Sequence, residues 1–423
     1  MRILYSLLVA LSIPFVLLYF AVRGLRDRAY LARWGERLGF VQPAKNTGGI
    51  LLHAASVGEY NAASSLIKAL LKRYPDLPIT ITTLTPTGSA KVVHDLGDKV
   101  FHCFIPLDVP AAVKRFLNLI NPELIVIMET ELWPNLYLES HRRGIPLLIA
   151  NARLSATSVK RYQYFPRLTR EILQPVTWIG AQSGVDAARL IQCGAKPQRT
   201  AVTGNLKFDQ QLPASLMEQG SVLRSAWNPT RPVLVAGSTH KADENVILPA
   251  FAQLLKNIPD ALLILVPRHP ERFTRAAQSA RAEGLSVELL SEAETCSEHT
   301  QCFVIDAMGQ LMRYYSSADV AFVGGSMGTQ GGHNVLEPAA LGKPVLVGPN
   351  TDNAGEIVAE LIGCGAAIRV NSCQDFRQSA EKLLTDGPLR DQMGQAGLAL
   401  IEKNKGALDL TLDAIDLQLS AKK

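Results

Sequence analysis

Short runs of β-branched and aliphatic residues alternate with amphipathic stretches from Gly49 onward. This alternation predicts an α/β fold with parallel strands joined by helices, because parallel strands are buried on both faces and read as nearly continuous apolar runs. A polar stretch over residues 205–213 separates two sets of runs. The predicted strands are 50–53, 79–83, 124–128, 146–150, 178–182 and 200–203 in the first set, and 232–236, 262–266, 303–305, 320–323 and 344–347 in the second.

The two sets predict two Rossmann-like domains. Their boundaries are 49–208 for an N-terminal domain and 209–423 for a C-terminal domain that ends in helices, after a membrane helix over 1–22 and a basic segment over 23–48. Ligands of open parallel sheets bind beyond the carboxyl ends of the strands. We therefore expect the functional residues just after the strands, at a cleft between the two domains.

The segment from Ile3 to Val22 is uncharged, mostly apolar and about long enough to cross a bilayer core. The arginines that follow it predict that the folded body lies in the cytoplasm. A cleaved signal peptide is the main alternative, but the run is long for one and no small-residue cleavage site precedes the arginines. Because Pro14 lies near the middle of the run, a spanning helix and an interfacial helix both remain open.

Charge is concentrated at the N-terminus. The 423-residue chain has a net charge of +5, and the residues before Ile50 account for all of it, with seven basic and two acidic side chains. The remainder is neutral, which disfavours binding to nucleic acid. Six cysteines without C-x-x-C pairs disfavour a zinc site or a disulfide framework and suit a reducing compartment.

A first candidate site directly follows the strand 50–53. Ser56 and Glu59 have the spacing of a capping box at the start of a helix. Glu59 is also placed to take a proton from an acceptor hydroxyl. A helix N-terminus favours the ionised carboxylate, so we expect a lowered pKa for Glu59. The capping role and the catalytic role are compatible.

A second candidate group follows the next two strands of the first set. Glu129 and Glu131 lie beside Trp133 after the strand 124–128, where they suit either a sugar ring or the start of a helix. Arg153 follows the strand 146–150, where it is either an anion ligand or a solvated side chain.

A third group lies in the second half. Arg268 and His269 follow Pro267 at the end of a strand, where they bind a ligand or form surface salt bridges. A glycine-rich loop then leads from a strand into a helix, and its backbone N–H groups could hold one phosphate, with Glu337 near ribose hydroxyls. A purely structural glycine turn is the alternative. The residues predicted to bind the donor are Lys207, Ser238, Pro267, Arg268, His269, Gly324, Gly325, Ser326, Gly331, Gly332, Asn334 and Glu337.

The sequence contains no Asp-x-Asp pair and no other cluster with metal-ligand spacing. We therefore expect no metal cofactor and a donor with a single phosphate, whose charge Arg268, Lys207 and the loop amides would meet.

At these residues the chain resembles the Kdo transferases, inner-membrane glycosyltransferases of the GT-B fold that add 3-deoxy-D-manno-octulosonic acid (Kdo) to lipid A precursors. The resemblance spans nearly the whole chain, and it is carried by residues 33–37, 56–59, 128–135, 151–155, 206–209, 267–272 and 331–334. One departure is the segment 238–244, where family members usually have Gly-Glu-Glu in place of Ala242-Asp243-Glu244.

The resemblance implies that Glu59 is the general base, supported by Ser56, Glu129, Glu131 and Arg153. It also implies that the motifs 267–269, 324–326 and 334–337 bind the CMP part of CMP-Kdo. The implied partners are CMP-Kdo, a lipid A precursor such as lipid IVA, and the anionic lipids of the inner membrane. Two alternatives remain open: a GT-B enzyme that uses a UDP-sugar on a lipid acceptor, and a non-catalytic, membrane-tethered nucleotide-binding protein.

Overall fold

A computed structural model describes residues 2–25, 28–42, 47–209, 212–293 and 295–421. Two α/β domains make up the chain. The N-terminal domain comprises residues 1–210 together with 404–423, and the C-terminal domain comprises residues 211–403.

The N-terminal domain is built on a seven-stranded parallel sheet with the order β3-β2-β1-β4-β5-β6-β7. Its strands are β1 (Ile50–His53), β2 (Ile79–Thr83), β3 (Phe101–Phe104), β4 (Leu124–Met128), β5 (Leu147–Ala152), β6 (Trp178–Ala181) and β7 (Thr200–Val202). The helices are α1 (Arg2–Gly24), α2 (Trp34–Arg37), α3 (Val57–Arg73), α4 (Pro86–Leu96), α5 (Pro110–Ile120), α6 (Pro134–Arg142), α7 (Ala156–Gln163), α8 (Pro166–Leu173) and α9 (Gly184–Gln192). Helices cover both faces, so β1 and β4 are buried throughout.

The C-terminal domain repeats this architecture with the strand order β10-β11-β9-β8-β12-β13-β14. Its strands are β8 (Val233–Thr239), β9 (Leu262–Pro267), β10 (Val287–Leu289), β11 (Cys302–Val304), β12 (Val320–Val323), β13 (Val345–Val347) and β14 (Ala367–Arg369). Its helices are α10 (Ser215–Ala226), α11 (Lys241–Leu254), α12 (Phe273–Ala282), α13 (Leu311–Ser317), α14 (Leu336–Ala339), α15 (Gly355–Gly363), α16 (Cys373–Thr385) and α17 (Gly387–Asn404). The predicted fold class, two Rossmann-like α/β domains with an apolar N-terminal helix, is confirmed.

All eleven predicted strands are present, with ends that differ by at most three residues. The three strands that were not predicted, β3, β10 and β14, lie at sheet edges. An edge strand pairs on one side only and carries polar residues, so it lacks the long apolar run of a central strand.

The last helix, α18 (Ala407–Ser420), corrects the predicted C-terminal boundary. Its apolar residues, including Ala407 and Ile415, join the core beneath β1 and β4 of the N-terminal domain. The carboxylate of Asp209 accepts hydrogen bonds from the backbone N–H groups of Gly406 (2.7 Å) and Leu408 (3.0 Å) at the start of α18. Asp209 and its partners at the start of α18 are 197 and 199 residues apart, and such a return of the chain leaves no local signal, which is why the boundary at 209–423 was wrong.

The structure also differs from the prediction at the linker over residues 205–213. Leu206–Asp209 form a 3₁₀ turn in which Leu206 and Phe208 are buried, so this part belongs to the N-terminal domain. Residues 210–211 of the predicted linker lie outside the described residues.

The N-terminal apolar segment forms one continuous helix, α1, which is long and apolar enough to cross a membrane. The basic segment after it is less uniform than predicted. Arg37 is 1% exposed, and its guanidinium lies 4.3 Å from the ring centroids of both Phe20 and Phe104. Arg37 therefore packs the segment onto the domain instead of facing lipid. Arg23 and Arg28 are exposed, whereas Arg26 and Lys45 lie outside the described residues.

Candidate active site

The candidate acids of the N-terminal domain meet at the centre of its sheet. β1 lies between β2 and β4, so the loops after β1 and β4 leave the sheet side by side at the point where the strand order reverses. Crevices at such switch points are the usual ligand sites of open α/β sheets. Glu59 follows β1, whereas Glu129 and Glu131 follow β4.

Glu59 lies in the first turn of α3, where the structure forms one half of the predicted capping box, the bond to the side chain of the N-cap residue Ser56. The Ser56 hydroxyl accepts a hydrogen bond from the Glu59 backbone N–H (3.3 Å) and lies 3.2 Å from the Glu59 carboxylate. The backbone N–H of Ala55 donates to the other carboxylate oxygen at 2.7 Å. These bonds hold the carboxylate at the edge of the sheet.

Burial reverses the predicted pKa shift of Glu59. The side chain is 9% exposed. Burial raises its pKa to about 7, against the opposing effect of the Ala55 N–H, and the negative charges of Glu131 and Glu129 raise it further. The lowered pKa that we expected from the helix N-terminus is therefore wrong, because desolvation outweighs the hydrogen bonds.

Glu129 and Glu131 are not helix-start residues. α6 begins at Pro134 and has no acidic residue in its first turn. Glu129 has a left-handed backbone (φ 55°), which is uncommon for a residue with a side chain and is often found at functional sites. Burial raises the pKa of Glu131, as does the charge of Glu129. The two acids and Glu59 thus form one electrostatically coupled group.

The neighbouring strand end holds this segment in place. The Thr130 hydroxyl donates to the carbonyl of Arg153 and accepts from its backbone N–H (3.1 Å), while the Arg153 side chain is exposed. Asn151 also has a left-handed backbone (φ 56°), and its side-chain oxygen accepts from the backbone N–H of Leu206 (3.0 Å). The motifs 128–135, 151–155 and 206–209 therefore belong to one structure.

Two buried side-chain nitrogens at this edge have no hydrogen-bond partner among the described residues: Nε2 of His53 and Nδ2 of Asn151. The rings of His53 and Trp133 meet edge to face with centroids 6.2 Å apart. Leaving a buried polar group unpaired costs about 1–3 kcal/mol. The sequence indicated a role for Trp133, but His53 and Asn151 were missed as polar groups because nothing local shows that they are buried.

In the C-terminal domain, β8 lies between β9 and β12, so the loops after β8 and β12 diverge at the corresponding switch point. The Asp243 side chain connects them. Its carboxylate is 0% exposed and accepts hydrogen bonds from the backbone N–H groups of His240 (2.8 Å), Gly325 (2.8 Å) and Met327 (3.0 Å). Asp243 therefore determines the shape of the glycine-rich loop.

This arrangement corrects the predicted use of the loop amides. The N–H groups of Gly325 and Met327 bind Asp243, and those of Gly332 and His333 bind the carbonyls of Gly325 and Gly324. α14, which follows the loop, has only four residues and so provides little helix dipole. These four backbone N–H groups, which were predicted to be available to a phosphate, therefore stabilise the loop itself.

The first residues of the loop are structural. Gly324 approaches the Ser238 carbonyl so closely that a Cβ would lie 2.4 Å from its oxygen. Ser238 itself has a left-handed backbone (φ 54°). Ser326 is buried, and its hydroxyl donates to the Val323 carbonyl (2.7 Å) and accepts from the Gly348 N–H (2.8 Å). Both bonds are internal, so the Ser326 hydroxyl holds the loop in place, and a contact of Ser326 with the donor stays a prediction.

Positively charged and imidazole side chains gather beside this loop. Nε2 of His240 lies 2.9 Å from Nε2 of His333, and the two rings are stacked. The ring of exposed His269 lies 5.4 Å from that of His240. Burial lowers the pKa of His333 to about 4, and the charges of nearby His240, Arg268 and His269 lower it further. The positive charge of Arg268 disfavours protonation of these imidazoles and is suited to an anion.

Glu337 and Asn334 border the same group. The Asn334 side-chain amide donates to the Glu337 carboxylate (3.2 Å). Burial raises the pKa of Glu337, while Asn334 and the nearby Arg268 oppose the shift. The predicted residues Arg268, His269, Asn334 and Glu337 thus come together as expected, and His240 and His333 join them. Both histidines lie in segments that the sequence had singled out, 238–244 and 331–334, but neither His240 nor His333 had been assigned to the site.

Four further predicted positions can be located directly in the structure. Pro267 ends β9, and Gly331 and Gly332 have left-handed backbones (φ 79° and 78°) within the glycine-rich loop. Lys207 lies in the N-terminal domain, between buried Leu206 and Phe208. Among the described residues, no group of three or more His, Cys, Asp or Glu side chains is placed to hold a metal ion. The expectation of a metal-independent reaction stays a prediction.

Comparison with known proteins first shows the class of protein to which the chain belongs. A family model of glycosyl transferases group 1 matches residues 233–399. A solved glycosyltransferase from Rickettsia africae has the same fold, with a TM-score of 0.54 and 14% identity over 88% of this chain and 99% of that chain. Two successive Rossmann-like domains with these matches are a glycosyltransferase of the GT-B type.

A model of the 3-deoxy-D-manno-octulosonic-acid transferases matches residues 32–210. The chain is 39% identical to a 3-deoxy-D-manno-octulosonic acid transferase of Haemophilus influenzae over 98% of both chains. It is 35% identical to the transferase of that name from Bordetella pertussis over 91% of this chain and 90% of the relative. The chain belongs to the Kdo transferase family.

Proposed function

We propose that the protein is an inverting glycosyltransferase that moves Kdo from CMP-Kdo to a hydroxyl of a lipid A precursor, lipid IVA, in lipopolysaccharide synthesis. Glu59 is the general base. Family membership supports the reaction, and the observation that carries the assignment of the base is the buried Glu59 carboxylate with a pKa of about 7. A general base is most effective when its pKa lies near the working pH.

In this mechanism the carboxylate of Glu59 takes the proton of the acceptor hydroxyl as the oxygen attacks the anomeric carbon of Kdo. The bond from that carbon to the phosphate oxygen of CMP breaks, and CMP leaves with the bonding electrons. Because attack and departure occur on opposite faces, the configuration inverts. Glu131 and Glu129 contribute by keeping the pKa of Glu59 high.

The C-terminal domain binds the donor in this proposal. Arg268 supplies the positive charge that receives the phosphate of CMP, and the neighbouring imidazoles of His240, His269 and His333 supply N–H donors beside it. Charge-assisted hydrogen bonds to a departing phosphate stabilise the transition state. These side chains take over much of the role that the sequence assigned to the loop amides.

We further propose that the protein acts at the inner membrane with its body in the cytoplasm. An apolar helix followed by exposed Arg23 and Arg28 supports this location, since basic residues beside an apolar segment favour the cytoplasmic side. Anionic lipids would attract these arginines.

The proposed reaction is tested by incubating the purified protein with CMP-Kdo and a tetra-acylated lipid A precursor. Mass spectrometry is expected to show the acceptor with one or more added Kdo residues, and no product when UDP-sugars replace CMP-Kdo. Transfer from a UDP-sugar, or CMP binding without any transfer, would contradict the proposal and support one of the two alternatives.

The pH dependence of transfer tests the coupled acids. Because the base must be deprotonated, transfer by the parent protein is expected to rise with pH and level off above about 7. Glu131→Gln removes a negative charge that raises the pKa of Glu59, so the midpoint should move down by roughly half a pH unit. The measurement is kcat/KM against pH. The exposed Glu171→Gln is the control, and an unchanged or higher midpoint in Glu131→Gln contradicts the coupling.

A further inference from the structure

The N-terminal helix α1 is less exposed on one side than on the other along its whole length. Residues 2, 5, 6, 9, 12, 13, 16, 17 and 21 are partly buried, and residues 20 and 24 are buried. This spacing of three and four residues is that of one face of an α-helix. A helix surrounded by lipid has no need of such a face.

The beginning of α1 is attached to the domain by polar contacts. Nε of Arg2 and the hydroxyl of Ser6 both donate to the side-chain oxygen of Asn135, at 3.2 and 3.1 Å. Asn135 is itself buried, and its backbone and side-chain amides donate to the side chain and carbonyl of Asp108 (2.8 and 2.6 Å). If α1 moved away, the buried oxygen of Asn135 would lose both donors, which is unfavourable.

The end of α1 is attached to the same domain. Phe20 is buried beneath the guanidinium of Arg37, whose other contacts are the ring of Phe104 and the carbonyl of Leu84 (3.0 Å). Eighteen residues of helix separate Arg2 from Phe20, or about 27 Å. A spanning helix would place these ends on opposite sides of a core about 30 Å thick. Both ends cannot then contact one water-soluble domain.

The opposite side of α1 is apolar and exposed. Its large side chains are 53–77% exposed, which for one continuous surface is far more than a soluble monomer usually shows. They are Ile3, Leu4, Leu7, Leu8, Leu11, Phe15, Leu18, Tyr19 and Val22. We call these residues the outer face.

Cations border the outer face. Arg23, Arg28, Lys114 and Arg142 are exposed, and the last two line a groove of about 560 Å³ between α1 and helices α5 and α6, where Arg142 is paired with Glu139 (2.7 Å) and Lys114 is the second cation. The groove walls from α1 include Ile3, Leu7 and Ala10. Apolar walls with cations at the rim suit an acyl chain and an anionic headgroup. A second copy of this face would bring like charges together.

We propose that α1 lies parallel to the membrane surface, with its inner side on the N-terminal domain and its outer face among the acyl chains of an anionic leaflet. The N-terminus of the chain then stays on the same side of the membrane as the catalytic body. This inference rests on the membrane location included in the proposed function, and it does not depend on the donor or the acceptor.

Protease digestion of sealed membrane vesicles tests the orientation. The full-length chain carries an epitope tag before Met1, and its body is detected by a separate antibody. In inverted vesicles we expect the protease to remove the tag together with the body. A tag that is protected while the body is digested shows a spanning helix, which overturns the inference and leaves the membrane location intact.

Vesicle flotation tests the outer face. Leu11→Glu is expected to weaken binding to phosphatidylglycerol vesicles at least tenfold, because a carboxylate would enter the acyl region. Leu417→Glu is the matched control, since Leu417 is 68% exposed and Leu11 is 69% exposed, and it should bind like the parent. Denaturant unfolding midpoints equal to that of the parent show that both variants fold.

The remaining outcomes are also decisive. Equal vesicle binding by Leu11→Glu and the parent overturns the inference, as does a change confined to the oligomeric state measured by light scattering. A parent protein that does not bind vesicles at all contradicts the proposed membrane location itself, whatever the result of the transfer assay.

Discussion

Replacing Glu59 with glutamine is expected to lower the rate of Kdo transfer by about 10²- to 10⁴-fold, the usual contribution of a general base. The amide is nearly the same size and can still accept the hydrogen bond from the Ala55 N–H, so α3 keeps its first turn. Affinity for CMP should not change, because Glu59 belongs to the N-terminal domain and the proposed donor residues Arg268 and Glu337 belong to the C-terminal domain.

A measurement of stability distinguishes the loss of the general base in Glu59→Gln from damage to the fold. The native pKa of Glu59 is about 7, above the ordinary value of 4.5, so its contribution to stability is greatest at low pH and is lost as pH rises through 7. Glu59→Gln should therefore be no less stable than the parent at pH 8 in chemical denaturation. Glu171→Gln, an exposed substitution in the same domain, serves as the control. Parental transfer rates in Glu59→Gln would rule out the proposed base.

Replacing Asp243 with asparagine is expected to give the second large effect. The carboxylate accepts three backbone N–H groups, and an amide presents one oxygen and an NH₂ that cannot accept. At least one buried N–H loses its partner, which should lower the free energy of unfolding by about 1–3 kcal/mol. Because the glycine-rich loop loses its connection to α11, CMP affinity should fall about tenfold or more.

Asp375→Asn is the matched control. Asp375 is also the third residue of its helix, but it is only partly buried and accepts from the backbone N–H of Asn371 at 3.2 Å. Denaturant titration and calorimetric CMP binding should show little change in this variant. If Asp243→Asn behaves like Asp375→Asn in both measurements, Asp243 does not hold the loop.

Much of the fold could be predicted from the sequence. β1, β2, β4 and β12 have the ends that their apolar runs predicted, because a central parallel strand is buried on both faces. Edge strands such as β10 and β14 lack that pattern. The return of α18 to the N-terminal domain was not predictable, because it depends on Asp209 meeting residues 406 and 408.

The candidate site could also be predicted only in part, because the sequence shows which residues follow a strand but not their distant partners. Polar residues directly after central strands are visible in the sequence, and this rule identified Glu59, Glu129 and Arg268. Whether such a group is buried is not visible, so the direction of the pKa shift of Glu59 was wrong. The roles of Asp243 and Asn135 depend on partners more than eighty residues away in one case and more than a hundred in the other.

By itself, the sequence determined the two α/β domains, the apolar N-terminal helix and the residue types at the strand ends, because periodicity and residue order are local properties. The tertiary structure alone decided the desolvation of Glu59, the use of loop amides by Asp243, and the attachment of both ends of α1 to one domain. Each of these depends on which distant side chains exclude water from a group or supply its hydrogen bonds.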